Sequence, residues 1–177
     1  MTEGQTKNTA HILPDVLAGG LDVVFCGSAA GSASAKAGAY YAGPGNRFWP
    51  ILHEIGLTPR QLAPREFHTV IQYGIGLTDL SKFQSGADQA LDARGDDAGA
   101  LAEKISAHTP RVLAFNGKRA GGVFLRDVLE SHIQDYGLQP LVLGHTAVFV
   151  LPSTSGAARR WWDGAPWRAL AAYLRRG

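Results

Sequence analysis

Leu21-Asp22-Val23-Val24-Phe25-Cys26-Gly27 is a short apolar run, rich in β-branched residues and closed by glycine. Such a run reads as a strand buried on both faces. RVLAFNG (Arg111–Gly117) repeats the pattern, GIGLTDL (Gly74–Leu80) is a shorter version, and LVLG with TAVFVLP (Leu141–Pro152) gives a strand or a pair of strands. Helical periods lie between them. NRFWPILHEIG places Phe48, Ile51, Leu52 and Ile55 at helical spacing, and Arg65–Tyr73 offers a second pattern. Asp97–His108 puts Leu101 and Ile105 on one face. Lys118–Ser131 offers Val123, Leu125, Val128 and Leu129 to a core, and the closing WRALAAYLRR turns Trp167, Leu170, Ala171 and Leu174 inward. Buried strands alternating with helices predict an α/β fold: a mostly parallel central sheet flanked by helices on both faces, in three layers.

The chain has 177 residues, 45% hydrophobic and 18% charged, enough for one domain (1–177) with a core of its own. That balance excludes wholesale disorder, a coiled coil and a fibre. No apolar run approaches the roughly 20 residues of a membrane helix, and MTEGQTKNTAHILP lacks the blocks of a signal peptide. The single cysteine, Cys26, makes neither an internal disulfide nor a Cys-based zinc site. The expectation is a cytoplasmic protein without a membrane partner, whose residues 1–13 form a loosely ordered polar tail.

Net charge is only +2, yet residues 159–177 hold five arginines against one aspartate. A basic end on a nearly neutral body suits phosphate or nucleic acid; the plainer reading is a solvated helix end whose arginines complement the helix dipole.

In a parallel sheet, ligands bind beyond the C-terminal ends of the strands. Four loops then share one rim: Ser28–Gly45, Thr78–Gly86, Asn116–Lys118 and Ser153–Asp163. The first, small and nearly uncharged, reads as one long loop; its glycines and alanines permit close backbone approach, and consecutive N–H groups can form an anion nest. It matches neither the P-loop nor GxGxxG. Of Tyr40 and Tyr41, one can stack on a flat ligand while the other packs in the core; both can equally be structural. Asp79 closes a buried run at the rim, where a carboxylate can take a proton from water or cap the next turn. Asn46 precedes a helix, where N-capping is the default, and Asn116 ends a strand. The six histidines show no metal-ligand spacing, and neither GxSxG nor HExxH occurs.

VVFCG, YYAGPGNRFW, LTPRQL and LPSTSG, in this order and from about Ile12 to the last helix, resemble the uracil-DNA glycosylase superfamily. The sequence is most like the mismatch-specific uracil/thymine glycosylases, with features of the hypoxanthine-DNA glycosylase branch. The resemblance implies the same three-layer fold and excision of a base from DNA at its N-glycosidic bond. The deoxynucleotide would be flipped into a pocket, with no metal or organic cofactor and with a monomeric enzyme. Uracil is the implied substrate; hypoxanthine is the alternative, as is a non-catalytic binder of damaged DNA. A third reading is a small-molecule enzyme acting on free nucleosides or nucleotides.

The resemblance carries over unevenly. The family's GINPG motif, whose Asn positions water, corresponds to Gly27-Ser28-Ala29-Ala30-Gly31, so Ala29 stands where that Asn would be. Either catalysis has moved or the protein only binds. GLTDL resembles a pattern of the hypoxanthine branch and makes Asp79 the first catalytic candidate, with Asn46 second. Ser28, Ala29, Ala30, Gly31, Tyr41, Phe48 and Asn116 are implied around the base, with Tyr41 stacking on it. The second motif reads Ser153-Thr154-Ser155-Gly156-Ala157. With Lys118 and Arg159 it is assigned to DNA. Ala157 lacks the family's bulky wedge, which leaves Arg159, Arg160, Trp161 or Trp162 to fill the vacated stack.

Overall fold

The computed structural model describes residues 10–177. Five strands form one sheet in the order β2-β1-β3-β5-β4. They are β1 (Val23–Gly27), β2 (Ile75–Asp79), β3 (Val112–Asn116), β4 (Gly137–Leu143) and β5 (Thr146–Leu151). The first three and β5 run parallel; β4 pairs antiparallel with β5, so the Leu141–Pro152 segment contributes to a hairpin.

The continuous apolar runs follow from burial on both faces. Val23 and Phe25 point into one core, with α2 (Phe48–Glu54), the 3₁₀ segment Pro64–Tyr73 and α5 (Ala165–Arg175). Val24 and Cys26 point into the other, beneath α3 (Ala98–His108) and α4 (Lys118–Leu129). These are the three layers of the expected α/β/α arrangement. Trp167, Leu170, Ala171 and Leu174 are buried as their spacing predicts. On α4 the fully buried side chains are Ala120, Phe124 and Leu125, while Val123, Val128 and Leu129 are only partly buried. The Phe124 ring lies tilted against Phe115 of β3, centroids 5.2 Å apart, on the face of the helix that turns to the sheet.

Two expectations are corrected. Ser28–Gly45 is not one loop: Ser32–Ala37 forms a short helix, α1, stopped by Gly38 at φ 65°. The expected tail is tied down at its C-terminal end. Residues 1–9 lie outside the described residues, but Leu13 is buried and the Ile12 N–H donates to the Lys82 carbonyl at 2.7 Å. No helix among the described residues is long and apolar enough to cross a membrane.

Gly27, Asp79, Asn116 and Leu151 end the four parallel strands on the same side of the sheet. The chain leaves β1 for β2 on one side and later reaches β3 on the other. Here, where the winding reverses, an open α/β sheet leaves a crevice.

Candidate active site

The crevice is a cavity of about 530 Å³, within the range of small-ligand sites. All four predicted rim loops contribute to it. Its lining includes Ser28, Ala29, Ala30, Gly31, Tyr41, Asn46, Asp79, Asn116 and the run Ser153, Thr154, Ser155, Gly156 and Ala157. Three expected residues are not in it. Phe48 is fully buried behind Tyr41, because the α2 turn that presents it faces the core. Lys118 and Arg159 are exposed, and the Lys118 ammonium sits over the Tyr136 ring at 4.5 Å. Among the described residues no cluster of His, Cys, Asp or Glu is arranged to hold a metal.

Asp79 is the last residue of β2 and pairs in register with Gly27, the last residue of β1. A Cβ on Gly27 would lie 2.8 Å from the Asp79 Oδ1 and 3.4 Å from the Tyr41 hydroxyl. The bare glycine therefore makes room for the carboxylate. Asp79 is 5% exposed and accepts no hydrogen bond from the described residues, so it is not a turn cap. Burial pushes its pKa up to about 6, while Lys82 and Lys104 pull down and Asp15 pushes up.

Those three charges form a group beside the site in which Lys82 is buried and Asp15 and Lys104 are partly buried. Asp15 binds the Lys82 ammonium at 2.8 Å and the Lys104 ammonium at 2.7 Å, and accepts the Thr78 hydroxyl at 2.7 Å. Burial works against the Asp15 charge, but the Lys104 and Lys82 bonds outweigh it and hold the carboxyl below its ordinary range. Lys82 also donates to the Tyr40 hydroxyl at 3.1 Å, which in turn donates to the Pro14 carbonyl. The sequence reading missed this group. Its one available signal was Lys82, a lysine three residues after the Asp79 that ends the apolar run.

The two tyrosines divide their roles. Tyr40 is core, 1% exposed, and only borders the cavity. Tyr41 lines the cavity with its ring stacked on Phe48, centroids 3.9 Å apart. Its backbone is left-handed, φ 53°, which is uncommon for a bulky residue. The flanking bonds hold it there: the Tyr40 carbonyl accepts from the Trp49 indole, and the Ala42 N–H donates to Ser34 Oγ. Backbone strain fixed from both sides is typical of functional sites. Burial, with the Asp79 charge next, pushes the Tyr41 phenol far above its ordinary range, against an opposing pull from Asn116. Among the described residues no partner sits in good hydrogen-bond geometry on its hydroxyl.

The asparagines are partly engaged. Asn46 Oδ1 accepts the Phe48 N–H at 3.0 Å from one residue ahead of the helix N-cap, Arg47. Asn116 donates to Thr154 Oγ1 at 2.8 Å and accepts the Thr154 N–H at 3.0 Å, binding the end of β3 to the loop after β5. Gly156 closes the rim: a Cβ there would meet the Pro44 carbonyl at 2.7 Å, so the two glycine-bearing loops touch only because it has none. The carbonyls of Gly27, Ser28 and Ala30 accept bonds from Leu80, Ser81 and Gly86, which ties the first rim loop to the second.

A buried carboxylate, a fixed aromatic face and a lining rich in backbone and hydroxyl groups suit a flat polar ring held for proton transfer. The chain belongs to the uracil DNA glycosylase superfamily, whose model matches residues 14–175. Membership places it with the DNA glycosylases, hydrolases of the bond between base and deoxyribose in DNA. Among solved structures it is similar to a candidate uracil DNA glycosylase from Methanosarcina acetivorans, determined by NMR. The two are 26% identical, with a TM-score of 0.62 over 92% of this chain and 96% of that one.

Proposed function

We propose that the protein excises uracil from DNA as a monofunctional glycosylase, leaving an abasic site, with Asp79 as its catalytic group. The observation that carries this reading is the Asp79 carboxylate, buried in the cavity lining with a pKa of about 6 and no donor among the described residues. The C1′–N bond breaks with its electron pair passing to the base, and positive charge builds on the sugar. Ionised Asp79 stabilises that charge and takes a proton from water as the water oxygen bonds to C1′. The base leaves as an anion supported by N–H groups of Ser28–Gly31 and is protonated from solvent. Tyr41 stacks on the base, and the free amide hydrogens of Asn46 hold the water or the base edge. Ser153, Ser155 and Gly156 hold the strand, with Lys118 and Arg159 adding charge from outside the cavity. The enzyme works as a monomer and needs no metal or organic cofactor.

The test is single-turnover cleavage of oligonucleotides carrying uracil, hypoxanthine or a mismatched thymine, single- and double-stranded, in the absence of metal, with alkali to reveal abasic sites. Uracil is expected to be cut, and Asp79→Ala to abolish cutting while DNA binding survives. Cleavage at hypoxanthine alone would move the protein to the other substrate. No cleavage by folded protein would favour a binding module, the reading that Ala29 supports.

A further inference from the structure

Trp161 is the most exposed of the large hydrophobic residues described, 70% accessible, and it stands at the mouth of the cavity. Other exposed aromatics are partnered. Phe83 meets the His11 ring edgewise at 5.2 Å, and Tyr136 carries the Lys118 ammonium. Trp161 has neither a ring nor a cation against it among the described residues.

Its exposure is built in. Gly156–Trp161 is a 3₁₀ turn, started by the Ser155 hydroxyl accepting the Ala157 N–H and ended by the Trp162 N–H bonding to the Arg159 carbonyl. Trp162 then turns inward, tilted against Trp167 at 6.2 Å and covered by the Arg47 guanidinium at 5.4 Å. With Trp162 anchored, the turn holds Trp161 outward. Arg159 and Arg160 on the same turn are exposed and meet no carboxylate among the described residues. A bare indole edged by two free guanidinium groups has the chemistry of a platform for one base of a nucleic-acid strand and its phosphates.

We infer that Trp161 stacks on the base next to the nucleotide in the cavity, while Arg159 and Arg160 hold the flanking phosphates. The inference rests on the cavity being the seat of a base extruded from DNA. It resolves which of the four side chains near the missing wedge meets the strand as a ring: Trp162 is occupied.

The experiment uses a twelve-nucleotide oligodeoxythymidylate without any lesion, so that strand binding is read apart from base excision. Tryptophan emission of the wild-type protein is expected to be quenched on titration. In Trp161→Ala most of the quenching disappears and affinity falls about tenfold, the scale of one base–aromatic stack. Trp161→Phe recovers affinity to within about threefold. Phe83→Ala, an exposed aromatic outside the cavity lining, leaves it unchanged. Full affinity and full quenching in Trp161→Ala would overturn the inference, whether or not the protein excises uracil. Weakened binding in Trp161→Ala would sustain it even if no base were excised.

Discussion

The Asp79 carboxylate at the end of β2 occupies the space that a side chain on Gly27, its register partner on β1, would fill: the missing Cβ lies 2.8 Å from Oδ1. The catalytic candidate is thus positioned by an absence on the neighbouring strand. Gly27→Ala should push the carboxylate aside without unfolding the sheet, since only the end of a side chain must move. A displacement on that scale costs roughly a hundredfold in rate. Cleavage at saturating enzyme should fall by about that factor, with the melting transition near wild type. An unchanged rate would detach Asp79 from the chemistry.

Asp79 should also cost the fold stability at neutral pH. Its folded pKa of about 6 lies above the ordinary 3.8, so the native state holds the proton more tightly than the unfolded state does. Stability therefore declines as pH rises from about 4 through 6, and the cost is complete above that range. The raised pKa corresponds to roughly 3 kcal/mol as an upper figure. Asp79→Asn should unfold at a higher denaturant concentration than wild type at pH 7.5, by about 1–3 kcal/mol. The advantage should vanish below about pH 4, while the variant loses cleavage. Equal stability at both pH values would mean that the carboxylate is not desolvated.

The charges around Asp79 give opposite shifts. Lys82 favours its ionised form and Asp15 opposes it. If ionised Asp79 is the working species, cleavage should rise through an acid limb near pH 6. Lys82→Met should move that limb to higher pH, and Asp15→Asn to lower pH. General damage to the Asp15–Lys82 ion pair would slow both variants but would not move the limb in two directions. The pH–rate profile under single-turnover conditions decides it.

Much of this was readable beforehand, for a physical reason. Val23–Gly27 and Val112–Asn116 are buried on both faces, so composition alone reveals them, and their ends define the rim. Asp79 stood out as a carboxylate closing such a run. What the sequence hides is direction. Phe48 and Tyr41 are both aromatics in one rim block, but only Tyr41 reaches the cavity, because its left-handed backbone turns it there while Phe48 enters the core on α2. The grouping of Asp15, Lys82 and Lys104 was hidden too, since the three come from an N-terminal segment, a loop and α3. Nor does spacing reveal α1, whose Ser/Ala sequence carries no apolar period.

Tyr41 is expected to contribute its ring and not its hydroxyl. The ring is backed by Phe48, whereas the buried hydroxyl has no partner in good geometry among the described residues. Tyr41→Phe should therefore cleave within about threefold of wild type and be equally stable or slightly more so, because an unpaired buried polar group is unfavourable. Tyr41→Ala should lose about tenfold to a hundredfold in kcat/KM, the scale of a lost base stack. A Phe variant as defective as the Ala variant would assign the hydroxyl a direct part.

Asn116 lines the cavity, and two explanations compete for it: contact with the base, or support of the loop. Its amide already gives one hydrogen and takes another from Thr154, which is 1% exposed. Asn116→Ala would leave the buried Thr154 N–H and hydroxyl unpaired, a loss of about 1–3 kcal/mol for each orphaned group. The Ser153–Ala157 loop would loosen with it, since its Thr154 carbonyl is the acceptor for the Arg47 N–H. A support role predicts a lower melting transition and faster amide hydrogen exchange at Thr154, with weaker DNA binding whether or not the oligonucleotide holds uracil. A base-reading role predicts wild-type stability and a defect confined to the lesion-bearing strand. The bonds on both ends of the amide favour the first outcome, so comparing uracil-containing with lesion-free DNA at matched salt is the deciding measurement.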